Sequence, residues 1–205
     1  MFINAPIVRT NIDQKTGKTH KGGDVRFSRI KKQIGNFLKQ RQDIIVASFV
    51  DFYGIEEWPA LDKIQTNHSP SDIARILNDG AKQEICQAYP ERRPQERYFP
   101  FTAVHEFETL LFSDSSILAD HLHIEREKVD KVLAECGSPE QINNSPETAP
   151  SKRLEKWNGQ YGKTTDGIAI AAAIGIVRMR EKCPLFDAWL CALERKAEEF
   201  YAAQS

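Results

Sequence analysis

The segment Asp43-Ile-Ile-Val-Ala-Ser-Phe-Val50 most narrows what this chain can fold into. It is a short, nearly unbroken apolar run between polar neighbours, the pattern of a strand covered on both faces rather than one side of a hairpin. Ahead of it, Phe27, Ile30, Ile34, Phe37 and Leu38 recur at helical spacing after Asp24, a candidate N-cap. Behind it, Ser69-Pro70 has the chemistry of an N-cap followed by a first-turn proline, and Ile73, Ile76, Leu77 and Ile85 continue an apolar stripe. Phe2 to Thr10 is strand-like through Ile3, Ile7 and Val8, and a polar, Gly- and Lys-rich connection from Asn11 to Asp24 follows. Arg97 to Val104 reads as another extended segment, which Pro100 restricts to an edge or interrupted strand. This alternation predicts parallel strands joined by helical crossovers, with helices covering the sheet.

Beyond His105 the pattern turns helical: Ser116 to Leu122, Glu125 to Cys136 closed by Gly137, a polar loop through Pro150, then Gly167 to Glu181 and Pro184 to Ala203. No long linker or internal repeat interrupts the 205 residues, so a single domain spanning 1–205 is expected, its C-terminal helices packed on the sheet. The most apolar stretch, Gly167 to Val177, is Ala-rich and falls short of the roughly 18 to 20 residues a bilayer requires. It is read as a buried helix, and no membrane association is expected. With no basic segment, apolar run and small-residue cleavage site at the N-terminus, the expected location is cytoplasmic. Cys86, Cys136, Cys183 and Cys191 form no CxxC pair and are read as reduced structural thiols.

Asp51 ends the buried run, at the carboxyl edge of a parallel strand where ligands bind in open α/β sheets. A loop Asp capping the next turn is the competing reading. Tyr53 and Trp58 follow it, as contacts for a base or sugar or as packing anchors. In Val104-His-Glu-Phe-Glu-Thr-Leu-Leu-Phe112, ionisable residues sit in a strongly apolar neighbourhood. A continuing strand would point Glu106 and Glu108 to one face as a carboxylate pair for a divalent cation. A helix starting here would instead put His105 and Glu108 on a shared face, with Glu106 turned away, and its Glu residues would meet the helix dipole. His105 is open to three roles: ligand, general base or satisfied buried histidine. Asp51, Glu106 and Glu108 together make an oxygen-rich set suited to Mg2+ or Mn2+ rather than zinc. There is no GxxxxGK[ST] phosphate loop, which disfavours ATP hydrolysis of that type.

The chain balances 28 basic against 29 acidic residues, for a net charge of -1, so it is not a globally basic nucleic-acid coat. The basic charge is local. Between Arg9 and Arg41, ten cationic residues (Arg9, Lys15, Lys18, Lys21, Arg26, Arg29, Lys31, Lys32, Lys39 and Arg41) face only Asp13 and Asp24. Such a stretch suits nucleic-acid phosphates or a solvated helix face. Gly22-Gly23 is a weaker phosphate signal that equally marks a turn. Lys152, Arg153 and Lys163 lie near expected helix beginnings, where the dipole disfavours cations. Surface solvation, or a compensating anion such as a scissile phosphate, accounts for that placement.

Asp51-Phe-Tyr-Gly54, His105-Glu-Phe-Glu-Thr-Leu-Leu-Phe-Ser-Asp114, Pro139-Glu-Gln-Ile-Asn143, Pro146-Glu-Thr-Ala-Pro-Ser-Lys-Arg-Leu154 and Cys183-Pro-Leu-Phe186 follow one another in this order over much of the chain. Together they resemble a bacterial domain family of unknown function that is often encoded beside an AAA or ABC-like ATPase and related to the Toprim-like phage-defence proteins RloB and AbiLii. The resemblance implies a Toprim-like parallel sheet flanked by helices, with Asp51, Glu106 and Glu108 binding magnesium for phosphodiester cleavage. It also implies an ATPase partner, and DNA or RNA as substrate. Lys152, Arg153 or Lys163 would then neutralise charge in the transition state. Two departures stand out: Phe52 and Tyr53 leave the usual Asp-x-Asp pair incomplete, and the additional first strand with a Glu-Gly-x-x-Glu-like motif is missing from the sequence. A metal-dependent nuclease-like component of a phage-defence system is the leading expectation. The alternative is a non-catalytic effector or regulatory subunit binding an ATPase or nucleic acid.

Overall fold

The computed structural model describes residues 26–52, 55–142 and 147–202. In chain order the elements are α1 (Phe27–Gln40), β1 (Val46–Asp51), α2 (Pro70–Ala88), the short α3 (Pro94–Arg97), β2 (Tyr98–Ala103), a 3-10 helix (Phe107–Ser113), α4 (Ser115–Leu122), α5 (Arg126–Cys136), α6 (Pro150–Trp157), α7 (Asp166–Ile174), α8 (Ile176–Lys182) and α9 (Pro184–Ala202), with three further single-turn 3-10 helices. The architecture is mixed α/β and mostly helical, and among the described residues β1 and β2 pair as a two-stranded parallel sheet. The strand expected over Phe2 to Thr10, the Asp24 cap, Gly22-Gly23, Tyr53 and the basic residues from Arg9 to Lys21 lie outside the described residues.

Two compact units divide the chain. The first takes the described part of residues 1–50, 54–102 and 191–205, and its core follows from the sequence pattern. Phe27, Ile30, Ile34 and Leu38 form the buried stripe of α1, and Ala74, Leu77, Ala81 and Ile85 that of α2. Ser69 caps α2 by accepting a hydrogen bond from the Asp72 N–H at 3.2 Å, with Pro70 in the first turn. Trp58 is a packing anchor: its ring meets Phe27 edge-on at 4.9 Å, and its indole N–H donates to the Leu77 carbonyl at 3.2 Å.

The largest fully buried side chain of this unit is a cation. Arg97 donates to the carbonyls of Ile44 (3.0 Å), Leu38 (3.3 Å), Arg92 (2.9 Å) and Arg41. Leu38 lies in the last turn of α1 and Arg41 caps it, so the guanidinium sits at the negative end of the helix dipole and satisfies carbonyls that have no partner within the helix.

The second unit takes the described part of 51–53 and 103–190 and is built around the 3-10 helix, in which Glu108 to Ser113 are all buried. α4, α6, α7 and α8 pack against that helix. Leu110, Leu111, Phe112, Leu118, Val129, Leu154 and Ile170 supply the apolar core. The expected continuous helix from Gly167 to Glu181 is two helices. Gly175 adopts φ 77°, ψ 155°, a conformation that only glycine enters readily, and it ends α7 before α8 begins. Nor is this stretch buried throughout: Gly167, Ile170 and Ile174 are, but Ile168, Ile176 and Val177 are exposed. Among the described residues no helix is long and apolar enough to cross a membrane, and none of the four cysteines forms a disulfide.

Arg97→Met should destabilise the protein by about 3 kcal/mol in urea denaturation, because four carbonyls lose their donor in a site closed to water.

Candidate functional site

β1 delivers Asp51 at its last residue, and Phe52 N–H donates to the Ala103 carbonyl at 2.8 Å, so the two chain ends leave their strands side by side. β2 stops at Ala103, and neither a strand nor an α-helix continues through the acidic segment. Glu106 takes φ 70°, ψ 160°, a backbone region open essentially to glycine alone, and the 3-10 helix begins at Phe107. Of the two geometries the sequence leaves open, the structure adopts a helical start in 3-10 form, and Glu106 lies outside the helix.

That bend separates the two glutamates. The Glu106 carboxylate is buried and accepts from Ser151 twice, from its backbone N–H at 3.0 Å and from its hydroxyl at 3.1 Å. It therefore serves as a distant cap for the first turn of α6, whose own preceding residue, Ala149, has no capping side chain. Glu108 turns elsewhere. Its residue is 0% exposed, and among the described residues no neighbouring hydroxyl or backbone amide is seen to donate to its carboxylate. Its ion-pair partner is Lys163, with Nζ 2.9 Å from Oε2.

Lys163 also reaches Asp51. The ammonium is 3.5 Å from Asp51 Oδ2, while Asp51 Oδ1 accepts the backbone N–H of Phe107 at 3.0 Å. One cation thus joins two carboxylates separated by 57 positions in the chain, and Asp51 itself fixes the entry of the 3-10 helix that carries Glu108. The side chain of Asp51 is 31% exposed and that of Lys163 50%, so the cluster runs from a closed floor at Glu108 to an open mouth.

Burial pushes the Asp51 and Glu108 pKa values up. Lys163 opposes the shift at both, and the charge of Glu106 adds to it. For Lys163, burial disfavours the charge, but Asp51 and Glu108 outweigh it and the pKa is raised. Tyr161 stands near the same charges. Its hydroxyl is buried without a hydrogen-bond partner, and burial, with Glu108 next in effect, raises its pKa, so it stays a neutral O–H. A Cβ on Gly167 would come within 2.9 Å of that hydroxyl, which explains a glycine in the first turn of α7.

Of the residues singled out in the sequence, the structure brings together Asp51, Glu108 and Lys163. Glu106 lies beside them but is engaged with Ser151, so the expected Glu106/Glu108 pair does not present as one face. His105 occupies the turn after β2, where its carbonyl accepts the Thr109 hydroxyl at 2.8 Å. Lys152 pairs with Glu155 along α6 at 2.7 Å, and the Arg153 Nε–H donates to the Thr148 carbonyl at 2.8 Å. Ser151 and Tyr161 were not singled out. Ser151 sits in the Pro-Ser-Lys-Arg motif beside two cations, and a lone serine carries no signal of its long-range carboxylate partner. Among the described residues no group of three or more His, Cys, Asp or Glu side chains forms a ready metal cage.

On the separate first unit, α1 contains no acidic residue and presents Arg29 and Lys32 to solvent, while Lys31 pairs with Glu84 at 2.6 Å and Lys39 lies 5.2 Å from the centre of the Tyr89 ring.

Fold and site together define a mixed α/β protein with a buried carboxylate–lysine cluster beside the carboxyl end of β1. The chain belongs to the family described as Domain of unknown function (DUF4276), whose model matches residues 1–194. No curated protein and no solved structure matches it.

The raised carboxyl pKa values carry a sign for stability. Between the ordinary and the raised pKa the folded state keeps a proton that the unfolded chain has released, so stability falls as pH rises through that window. Glu108→Gln removes the buried charge. The variant should therefore be more stable than the parent at neutral pH, by about 1 kcal/mol, with the difference shrinking as pH falls from the raised Glu108 pKa toward the ordinary glutamate value, in urea titrations across that window.

Proposed function

We propose that this protein is a metal-dependent phosphodiesterase of nuclease type, a Toprim-like component of a bacterial phage-defence system that acts with an ATPase partner. The observation that carries the reading is Glu108: a carboxylate with no solvent exposure whose partner is one shared, half-exposed ammonium. Structural carboxylates are ordinarily satisfied by donors, as Glu106 is by Ser151. A buried one left open toward a second carboxylate is the arrangement of a site that handles positive charge.

The residues fit a hard divalent ion. Mg2+ is commonly held by one or two carboxylates and completes its shell with water and substrate phosphate, so Asp51 and Glu108 suffice where a zinc cage would not. Bound there, Mg2+ or Mn2+ would supply Lewis-acid polarisation of a phosphoryl oxygen and a more acidic water. The chain's own residues do the rest. Asp51 and Glu108 bind and orient, the closed floor around Glu108 excludes water, and the half-exposed ammonium of Lys163 neutralises phosphoryl charge. Glu106 acts as a positioning residue that ties the acidic segment to α6 through Ser151. The solvent-facing Arg29 and Lys32 on α1 are compatible with a nucleic-acid substrate. The ATPase partner and the defence role rest on the resemblance carried by the His105–Asp114 and Pro146–Leu154 motifs.

A second reading, a non-catalytic effector or regulatory subunit binding an ATPase or nucleic acid, is favoured by one observation. Lys163 already neutralises part of the charge on Asp51 and Glu108, as a purely structural ion pair would.

Cleavage of labelled DNA and RNA by the protein, alone and with an ATPase of the kind the resemblance implies, separates the two. Asp51→Asn and Glu108→Gln should each lower a magnesium-dependent rate by about 100-fold or more without loss of folding. Equal rates in EDTA and magnesium would sink the catalytic reading.

A further inference from the structure

We infer that Lys163 is a built-in competitor for the divalent-cation position, seated between Asp51 and Glu108 when no such ion is bound and driven out when one enters. The inference rests on the metal-binding reading above and concerns how that same site is regulated.

The argument begins with a mismatch in mobility. Glu108 belongs to a 3-10 helix whose residues from 108 to 113 are all buried, so its carboxylate stays where it is. A buried charge held there beside the Lys163 ammonium alone requires a cation close by. Lys163 answers that requirement from a different kind of place. It lies in the connection between α6, which ends at Trp157, and α7, which begins at Asp166. The backbone around it is tied down locally: Gly162 N–H donates to Asp166 Oδ2 at 2.6 Å, and the Thr165 and Asp166 N–H groups return to the Gly162 carbonyl at 3.1 and 2.8 Å. The turn is therefore fixed while the side chain, half exposed on a four-carbon stem, is free to change rotamer without unpacking the core.

Charge balance sets the direction. A single ammonium between two carboxylates leaves one negative charge uncompensated, and a divalent ion cancels both. Two cations cannot share oxygens that one of them already approaches at 2.9 and 3.5 Å, because their mutual repulsion at that range is large in a poorly solvated site. Entry of the divalent ion thus releases the Lys163 ammonium toward the open mouth, where an anion arriving with the metal would meet it. The ion pair that looks structural in the metal-free protein becomes a latent phosphate contact, and metal and substrate occupancy are coupled through one side chain.

The test is Mn2+ binding to the full chain by isothermal titration at fixed pH, a readout that needs no activity. Parent protein, Lys163→Met, Lys163→Gln and Glu108→Gln are compared, each first checked for cooperative melting. Lys163→Gln retains a donor for Glu108 and guards against a folding defect in Lys163→Met. Removing the competing charge should tighten Mn2+ binding by at least about tenfold in both Lys163 variants, and Glu108→Gln should lose it. Equal or weaker Mn2+ binding by the Lys163 variants, with the parent still binding, would overturn the competition and leave the metal site standing. No binding by any of the four proteins would overturn the metal reading and the inference together.

Discussion

The second unit is organised around one costly group, the carboxylate of Glu108. A buried carboxylate is tolerable only beside an opposite charge, and that necessity dictates several placements at once. The turn from Gly162 to Asp166 must bring Lys163 inward. β1 must end where Asp51 both shares that ammonium and anchors Phe107. The apolar run Leu110 to Phe112 must remain a tight 3-10 helix so that Glu108 faces the cluster while its neighbours fill the core. None of these placements maximises stability, and together they describe a site whose electrostatic cost is offset by the packing around it.

Glu106 shows how that arrangement is imposed on the backbone. Its positive φ is a conformation from which a side chain ordinarily recoils, and two hydrogen bonds from Ser151 hold it there. Those bonds also seat the first turn of α6. The bend diverts one glutamate to structure and leaves the other for charge, so two neighbouring carboxylates of similar intrinsic chemistry acquire different roles from a single backbone angle.

The first unit solves a related problem with the opposite sign. Arg97 is as buried as Glu108, yet its guanidinium is surrounded by carbonyls from α1, the following loop and the turn before α3. Its donors point into a fixed set of acceptors, so the group rigidifies its surroundings. Arg97 is satisfied by backbone carbonyls, whereas Glu108 depends on one half-exposed side-chain cation.

Much of the local structure was legible in the sequence. The stripe from Phe27 to Leu38, the Ser69-Pro70 cap, the apolar run before Asp51 and the Gly137 stop all act through neighbours a few residues away, and periodicity and capping report such interactions directly. Asp51 and Glu108 were recognisable for a similar reason: an ionisable residue against an apolar run is unusual wherever it folds. The break at Gly175 is not legible in the sequence, because composition does not reveal which glycine will take positive φ. Which glutamate joins Asp51, which of three cations meets them, and that Ser151 holds the other glutamate were settled only by tertiary structure. Those choices depend on contacts across 45 to 112 positions of chain, where a bend of one residue decides which oxygen faces which nitrogen. Local sequence therefore determined the elements and the supply of charges, and long-range packing determined their pairing, because a charge selects its partner by distance in space and not by separation along the chain.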